Sequence, residues 1–244
     1  IMIQLLYCPF PEESFYWYTG AVNYTGIYSL SLILVGLVLK LATRELKKVD
    51  RILSLVITCI LAILVGGDNL ATSLSTFCLL VLLEIVFLAK NKDGFRRTWF
   101  VVLVNIASLC IVCFSTRTQT RLEWNFEGDT LYSPLMAIWE SFVRTFLNIV
   151  SWTNLKMLLL LLLVIPFAWK AVRKMHYTFR LPGLFTALSF GVYASQATAT
   201  LYVNGTMGGG RQSAILWYFY VLWIVANEIY WCGWAAGRIL KPEK

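Results

Sequence analysis

The sequence predicts an all-α membrane protein, a polytopic bundle of about seven transmembrane helices that forms one domain over residues 1–244. Of the 244 residues, 59% are hydrophobic and only 14% are charged, whereas soluble domains are about half apolar and about a quarter charged. Long apolar runs recur along the chain, and about 20 apolar residues cross a bilayer as one helix. The runs are Tyr24–Thr43, Ile52–Gly66, Leu70–Ala89, Trp99–Phe114, Leu155–Trp169, Pro182–Leu201 and Ser213–Ala236.

Two of these runs, Ile52–Gly66 and Leu155–Trp169, are short for a membrane span. Each is expected to cross obliquely or with help from flanking residues, or one of them to be a partial span.

The basic residues sort to alternate connectors between the runs, and this pattern predicts the orientation. Sixteen of the 21 lysines and arginines lie in the first, third and fifth connectors and the tail: Lys40, Arg44, Lys47, Lys48, Arg51, Lys90, Lys92, Arg96, Arg97, Lys170, Arg173, Lys174, Arg180, Arg238, Lys241 and Lys244. The opposite side has Arg117, Arg121, Arg144, Lys156 and Arg211. Because cytoplasmic loops are enriched in lysine and arginine, the N-terminus is expected outside and the C-terminus inside.

Composition also argues against several classes of function. The net charge of +8 is accounted for by cytoplasmic loops and anionic lipid headgroups, so no nucleic-acid partner is expected. Cys110 and Cys113 form a CxxC pair by spacing, but they lie inside a predicted span without a second pair, and buried cysteine usually serves as a small apolar residue. His176 is the only histidine, which leaves little material for a metal centre.

The external side is predicted to hold the two longest irregular segments, residues 1–23, rich in aromatic side chains, and residues 115–154. Within the second, Glu140, Arg144 and Asn148 recur every four residues in an otherwise apolar stretch, which indicates a helix with one polar stripe. Such a helix lies on the outer membrane surface, or it is a reentrant piece packed against the bundle.

Three arginines are candidates for binding phosphate on the external side: Arg117, Arg121 and Arg211. The guanidinium group binds phosphate through two parallel hydrogen bonds, and the glycines 208–210 beside Arg211 allow a ligand to approach the backbone. The alternative is an interfacial arginine that reaches for lipid headgroups.

Asp68 and Asn69 follow two glycines at an external boundary, so they either form a tight turn between spans or contact a ligand. Glu84 and Glu228 lie within apolar runs. An intramembrane carboxylate is usually functional or pairs helices, but both are predicted near the cytoplasmic half and are interpreted as mainly structural.

Four external segments together resemble a known family. They are Phe15–Tyr24 (FYWYTGAVNY), Gly66–Asn69 (GGDN), the stretch from Arg117 to Arg121, and Gly210–Ser213 (GRQS). In this order they resemble an uncharacterised family of bacterial multi-pass proteins grouped with O-antigen-type glucosyltransferases of the GT-C superfamily.

The resemblance implies an enzyme of the bacterial inner membrane that takes a sugar from a polyprenyl-phosphate carrier and transfers it, outside, to a cell-envelope glycan or lipid. It places the carrier phosphate at Arg117, Arg121 and Arg211. The substrate cleft is then expected to include Tyr16, Trp17, Asn23, Tyr24, Asp68 and Asn69.

In that superfamily the catalytic acids lie in the first external loop, which has no counterpart here, so the catalytic residue is unknown. The chain is therefore expected to be the C-terminal part of a longer protein. Any divalent metal would belong to the missing loop, so no cofactor is expected on these residues. Two other functions stay open: a flippase or transporter of lipid-linked sugars, and a non-catalytic membrane partner in envelope polysaccharide assembly.

Overall fold

The computed structural model describes residues 4, 7–126, 132–175 and 177–239, apart from the side chains of Arg117 and of residues 124–126. Within these ranges all regular structure is helical, which confirms the predicted all-α class. In chain order the elements are a π-helical turn (Glu12–Tyr16), α1 (Tyr18–Thr43), α2 (Lys48–Gly66), α3 (Leu70–Lys90), α4 (Lys92–Cys113), α5 (Thr116–Phe126), α6 (Pro134–Trp152), α7 (Leu155–Arg173), α8 (Pro182–Asn204) and α9 (Gly210–Ile239).

Six of the described helices are long and apolar enough to cross a membrane, namely α1, α2, α3, α4, α7 and α9. The chain is thus a multi-pass membrane protein. The seventh predicted span is also a helix, α8, with 23 residues and no charged side chain. Its serines, threonines and glutamine lower its hydropathy, so α8 does not belong to the six.

The two short apolar runs become full-length helices because the helix continues into polar flanks. Helix α2 begins at Lys48, before the apolar run, and α7 continues to Arg173; each has 19 residues. At 1.5 Å per residue each is about 28 Å long, close to the hydrocarbon thickness of a bilayer.

Helices α1 to α4 share one core of aliphatic side chains that includes Leu34, Val65, Leu80 and Val101. A single residue, Asn91, separates α3 from α4. Its side-chain oxygen accepts a hydrogen bond from Gly94 N (3.0 Å) and caps α4, while its amide donates to the carbonyl of Ala42 (2.9 Å). This turn ties the ends of three helices together.

The second core surrounds the first half of α9, where every residue from 214 to 221 is buried. Burial on all sides follows from the position of this segment, which is packed by the N-terminal segment, α1, α6, α7 and α8. Aromatic rings fill the space: Trp152 contacts Trp217 and Tyr220 edge-on, with centroids 5.5 Å apart in both pairs.

Helix α6 packs on α8 through a stripe of small side chains. Ala137, Ser141 and Thr145 are spaced four residues apart and fully buried, and Thr198 of α8 donates a 2.7 Å hydrogen bond to Ser141. Small residues let helices approach closely where lipid gives no hydrophobic drive. The predicted polar stripe also exists: Glu140 and Arg144 pair at 3.1 Å on the exposed side.

The helix ends sort into two sets. Asn91 contacts Ala42, and Lys90 lies 5.7 Å above the ring of Tyr177, so the basic connectors gather at one end of the bundle, called here the basic end. At the opposite end Asn69 donates a hydrogen bond to the carbonyl of Asn23 (3.1 Å). The alternation predicted from charge is therefore present in the bundle.

We expect Gly66→Ala to destabilise the protein. A Cβ atom on Gly66 would lie 2.7 Å from the carbonyl oxygen of Asn105 and 3.0 Å from Ser108 Cβ, and overpacking of this kind costs about 1–3 kcal/mol. Gly36→Ala is the matched control, since a Cβ there meets no described atom within 4 Å, and it should be neutral or stabilising by up to about 1 kcal/mol. Thermal unfolding in detergent measures both, and equal midpoints would contradict this packing.

Candidate functional site

A polar cavity of about 460 Å³ opens at the end of the bundle opposite the basic end. Residues of α1, α3, α4, α5, α8 and α9 line it, so segments far apart in sequence contribute to it. Six of the nine residues predicted for the site line this cavity: Asn23, Tyr24, Asp68, Asn69, Arg121 and Arg211.

Arg211 is held at the cavity rim by two contacts from the N-terminal segment. Its Nε lies 3.6 Å from Glu13 Oε2, and its guanidinium carbon lies 3.8 Å from the ring centroid of Trp17. Both ion-pair side chains are about a third exposed, 31% and 40%, and such pairs contribute about 0–1 kcal/mol. An anionic ligand can therefore exchange with Glu13 at small cost.

Arg121 reaches the cavity from α5 beside Ser115 and Thr118. Thr118 Oγ1 donates a hydrogen bond to the carbonyl of Val112 (2.9 Å), which fixes the start of α5 on the end of α4. Arg117 lies one turn before Arg121 on the same helix, and residues four apart share a helix face. The side chain of Arg117 lies outside the described part of the chain.

Asn69 serves as a helix cap as well as a cavity wall. Its side-chain oxygen accepts hydrogen bonds from Ala71 N and Thr72 N, both at 3.1 Å, at the start of α3. Its amide group donates to the carbonyl of Asn23. The amide is thus used to join α1 to α3, and Asn69 positions the wall on which Asp68 also lies.

Two predicted cleft residues, Tyr16 and Trp17, do not line the cavity. Tyr16 is 85% exposed at the end of the π-helical turn. Trp17 is half exposed, and its ring packs against the guanidinium group of Arg211. The aromatic segment thus contributes Tyr24 to the wall and Trp17 to the support of an arginine.

The cavity also contains polar residues that the sequence did not single out, Gln212 and Thr200. Gln212 Nε2 donates a 2.8 Å hydrogen bond to Thr200 Oγ1 across α9 and α8. One turn deeper on α8, Gln196 is fully buried, and neither of its amide atoms has a hydrogen-bond partner among the described residues. The sequence signal was the pair Gln196 and Thr200, spaced four apart within an apolar run.

An apolar groove of about 450 Å³ lies beside the polar cavity. Leu70, Thr118, Ala199 and Val203 line both spaces, so the two are contiguous. The rest of the groove wall is mostly apolar: Leu74, Leu109, Cys113, Phe114, Gln119, Leu122, Pro134, Ile138, Thr198 and Tyr202. This arrangement suits an amphiphile with an anionic, hydroxyl-rich head and a hydrocarbon tail.

Glycines let the N-terminal segment close against the start of α9. A Cβ on Gly210 would lie 2.8 Å from the ring of Phe10 and 2.9 Å from Glu13 Cδ, and a Cβ on Gly20 would overlap the carbonyl oxygen of Glu13. Cys8 is buried in the same contact, with its Sγ 3.5 Å from the hydroxyl of Tyr218. Burial raises the pKa of the Cys8 thiol.

Comparison with models of known protein families, with curated proteins and with solved structures finds no match for this chain. The chemistry of the site therefore rests on its own geometry: two guanidinium groups, one carboxylate, amides and hydroxyls at the mouth of an apolar groove.

We expect Gly210→Ala to loosen the N-terminal segment, because the added methyl group displaces Phe10 and Glu13. The reporter is maleimide labelling of Cys8 in a background whose other five cysteines are alanine. The rate should rise several-fold in Gly210→Ala and stay unchanged in Gly209→Ala, where a Cβ meets no described atom within 4 Å.

The pH dependence of the same reaction provides a control. Because the thiolate reacts and burial raises the pKa of Cys8, labelling of the parent protein should keep accelerating above the pKa of an ordinary thiol, about 8.5. In Gly210→Ala the midpoint should move down towards that value. Equal rates in the two glycine variants would contradict the close contact at Gly210.

Proposed function

We propose that this protein is a membrane glycosyltransferase-like protein, which transfers a sugar from a polyprenyl-phosphate carrier to a cell-envelope glycan or lipid. One observation supports the proposal above the others: a cavity with two arginines is contiguous with an apolar groove of similar volume. A carrier lipid needs both, since its phosphate requires cationic donors and its chain requires an apolar surface.

In this proposal Arg121 and Arg211 bind the carrier phosphate. As the bond between the sugar carbon and the phosphate oxygen breaks, negative charge grows on that oxygen, and guanidinium donors stabilise it. The acceptor hydroxyl forms the new bond to the sugar carbon and gives up its proton to a base. We assign this base to no residue of the chain.

The remaining cavity residues suit the sugar. Asp68 has a carboxylate that can accept hydrogen bonds from sugar hydroxyls, and the aromatic side chain of Tyr24 lines the same cavity. Gln212 and Thr200 already share a hydrogen bond, so a sugar hydroxyl would join an existing network.

We also propose the finer topology, in which α8 is a seventh span, the cavity faces outward across the bacterial inner membrane, and the N-terminus is outside with the C-terminus inside. The support is that the basic connectors share one end of the bundle and that lysine and arginine are enriched in cytoplasmic loops. Helix α8 packs between α3 and α6, which provides polar neighbours for its serines and threonines.

A second function, translocation of lipid-linked sugars, is favoured by Gln196. A fully buried amide with no described hydrogen-bond partner lies one turn below Thr200 of the cavity wall, and polar side chains inside a membrane bundle often mark substrate paths. The described spans contain few charged groups at mid-depth, so sugar transfer remains the first proposal.

We expect Arg121→Ala and Arg211→Ala each to lower sugar transfer by about tenfold to a hundredfold, because each removes charge-assisted hydrogen bonds to the phosphate. Arg144→Ala is the matched control, since Arg144 pairs with Glu140 on α6 outside the cavity. The assay follows a radiolabelled sugar from polyprenyl phosphate into envelope material in membranes with equal amounts of each variant.

Unchanged transfer in both cavity variants would remove these arginines from the site. Movement of the lipid-linked sugar across proteoliposomes that lack any acceptor, abolished by Gln196→Leu, would replace sugar transfer with the translocation function.

Orientation has its own test. In a background without native cysteines, a membrane-impermeant maleimide applied to intact cells should label Gly209→Cys and should label Lys47→Cys only after lysis. The reverse pattern would invert the proposed topology and move the cavity to the cytoplasmic face.

A further inference from the structure

Among the residues that the structure describes, the cations of the basic end form no salt bridge with a carboxylate. The salt bridges among the described residues are Glu140–Arg144 and Glu13–Arg211, and both lie away from the basic end. The described lysines and arginines of the basic end form none, although Glu45, Asp50 and Asp93 are nearby in sequence. These described cations are therefore available to an external anion.

A cleft of about 410 Å³ opens among these cations, between the end of α7 and the last turns of α9. Arg173, Tyr177 and Phe179 line it together with Gly233 and Gly237. The ring of Phe179 occupies the position that a Cβ on Gly233 would take, whereas a Cβ on Gly237 meets no described atom within 4 Å. Gly233 therefore allows Phe179 to pack against α9 as one wall of the cleft, and Gly237 leaves space within the cleft.

Two further cations lie over aromatic rings near the cleft: one contacts Tyr177 of the cleft wall, and the other, Arg238, follows Gly237 on α9. Lys90 Nζ of α3 lies 5.7 Å from the centroid of Tyr177, and the guanidinium carbon of Arg238 lies 4.2 Å from that of Trp234. Tryptophan and tyrosine favour the headgroup level of a bilayer. We therefore expect these two aromatic residues and the cations over them to lie at the depth of the lipid phosphates.

The side of α7 that carries Arg173 continues as an apolar surface. Leu162 and Leu159 precede Arg173 by about three and four helical turns on the same face and are 60% and 53% exposed. A ligand with its phosphate at Arg173 would lay an acyl chain along these leucines, which a soluble phosphate does not need.

We propose that this cleft is a binding site for the headgroup of an anionic phospholipid of the surrounding bilayer. Arg173 binds the phosphate through its fork of donors, Lys90 and Arg238 supply additional positive charge, and the open space beside Gly237 admits the glycerol portion. The site is separate from the polar cavity at the other end, and this proposal does not depend on sugar transfer.

The test titrates phosphatidylglycerol into the detergent-purified protein and follows bound lipid by native mass spectrometry. Arg173→Gln removes the fork of donors, and Gly237→Leu fills the cleft without removing a cation. Each should weaken binding by about tenfold or more. The matched controls are Lys48→Gln, which removes an exposed cation of the same end, and Gly36→Leu, which adds the same side chain where nothing described lies within 4 Å. Both should bind within about twofold of the parent protein.

Three results would overturn the proposal. Equal loss in Lys48→Gln and Arg173→Gln, with no effect of Gly237→Leu, would leave only diffuse surface attraction. Equal binding of phosphatidylcholine would remove the selectivity for a negative headgroup, and full competition by inorganic phosphate would make the ligand a soluble anion. Should Arg173→Gln unfold, Arg173→Lys keeps the charge and tests the loss of paired hydrogen bonds.

Discussion

The close approach of α3 and α8 is the constraint on which the rest of the structure depends. The buried face of α3 contains Ala71, Thr72, Ser75 and Thr76, and that of α8 contains Ala194, Ala197 and Thr200. Side chains this small let two helices pack backbone against backbone in a medium that offers no hydrophobic drive. This contact connects the core formed by helices α1–α4 with the core around α9. The polar cavity and the apolar groove both lie at the end of the contact that is opposite the basic end.

Much of the fold was predictable, because long apolar runs in a sequence indicate membrane helices. Their ends were less predictable: hydropathy stops at the first charged residue, but helical hydrogen bonding continues, as α2 does through Lys48, Asp50 and Arg51. The structure brings six of the nine candidate residues together at one end of the bundle. The sequence did not predict which of these side chains point into the cavity, because packing determines how each helix is rotated about its axis. For this reason Tyr16 is exposed, whereas Gln212, which was not among the candidate site residues, lines the cavity.

Several predicted ligand contacts turn out to hold the site together. Asn69 caps α3 and binds α1, and the ring of Trp17 packs against Arg211. Turn residues and aromatic residues look the same in sequence whether they touch a ligand or the protein, because both uses need the same donors and rings. The structure distinguishes these two roles by showing which atoms each side chain contacts. Asp68, Arg121 and Gln212 line the cavity. Asn69 lines it and also fixes the backbone, and Trp17 contacts Arg211.

Arg211 at the cavity end and the described cations of the basic end differ in their partners, and this difference bears on the proposed functions. At the cavity end Arg211 already has an internal anion in Glu13, at 3.6 Å and partly exposed, so a ligand that binds there must exchange with a weak partner and is readily released again. A site that turns over requires such exchange. At the basic end the described cations form no salt bridge, so an external anion would displace no described carboxylate there. A bilayer lipid bound in the proposed cleft would suit an anchoring role, because it would hold the bundle at a fixed depth while ligands exchange at the opposite end.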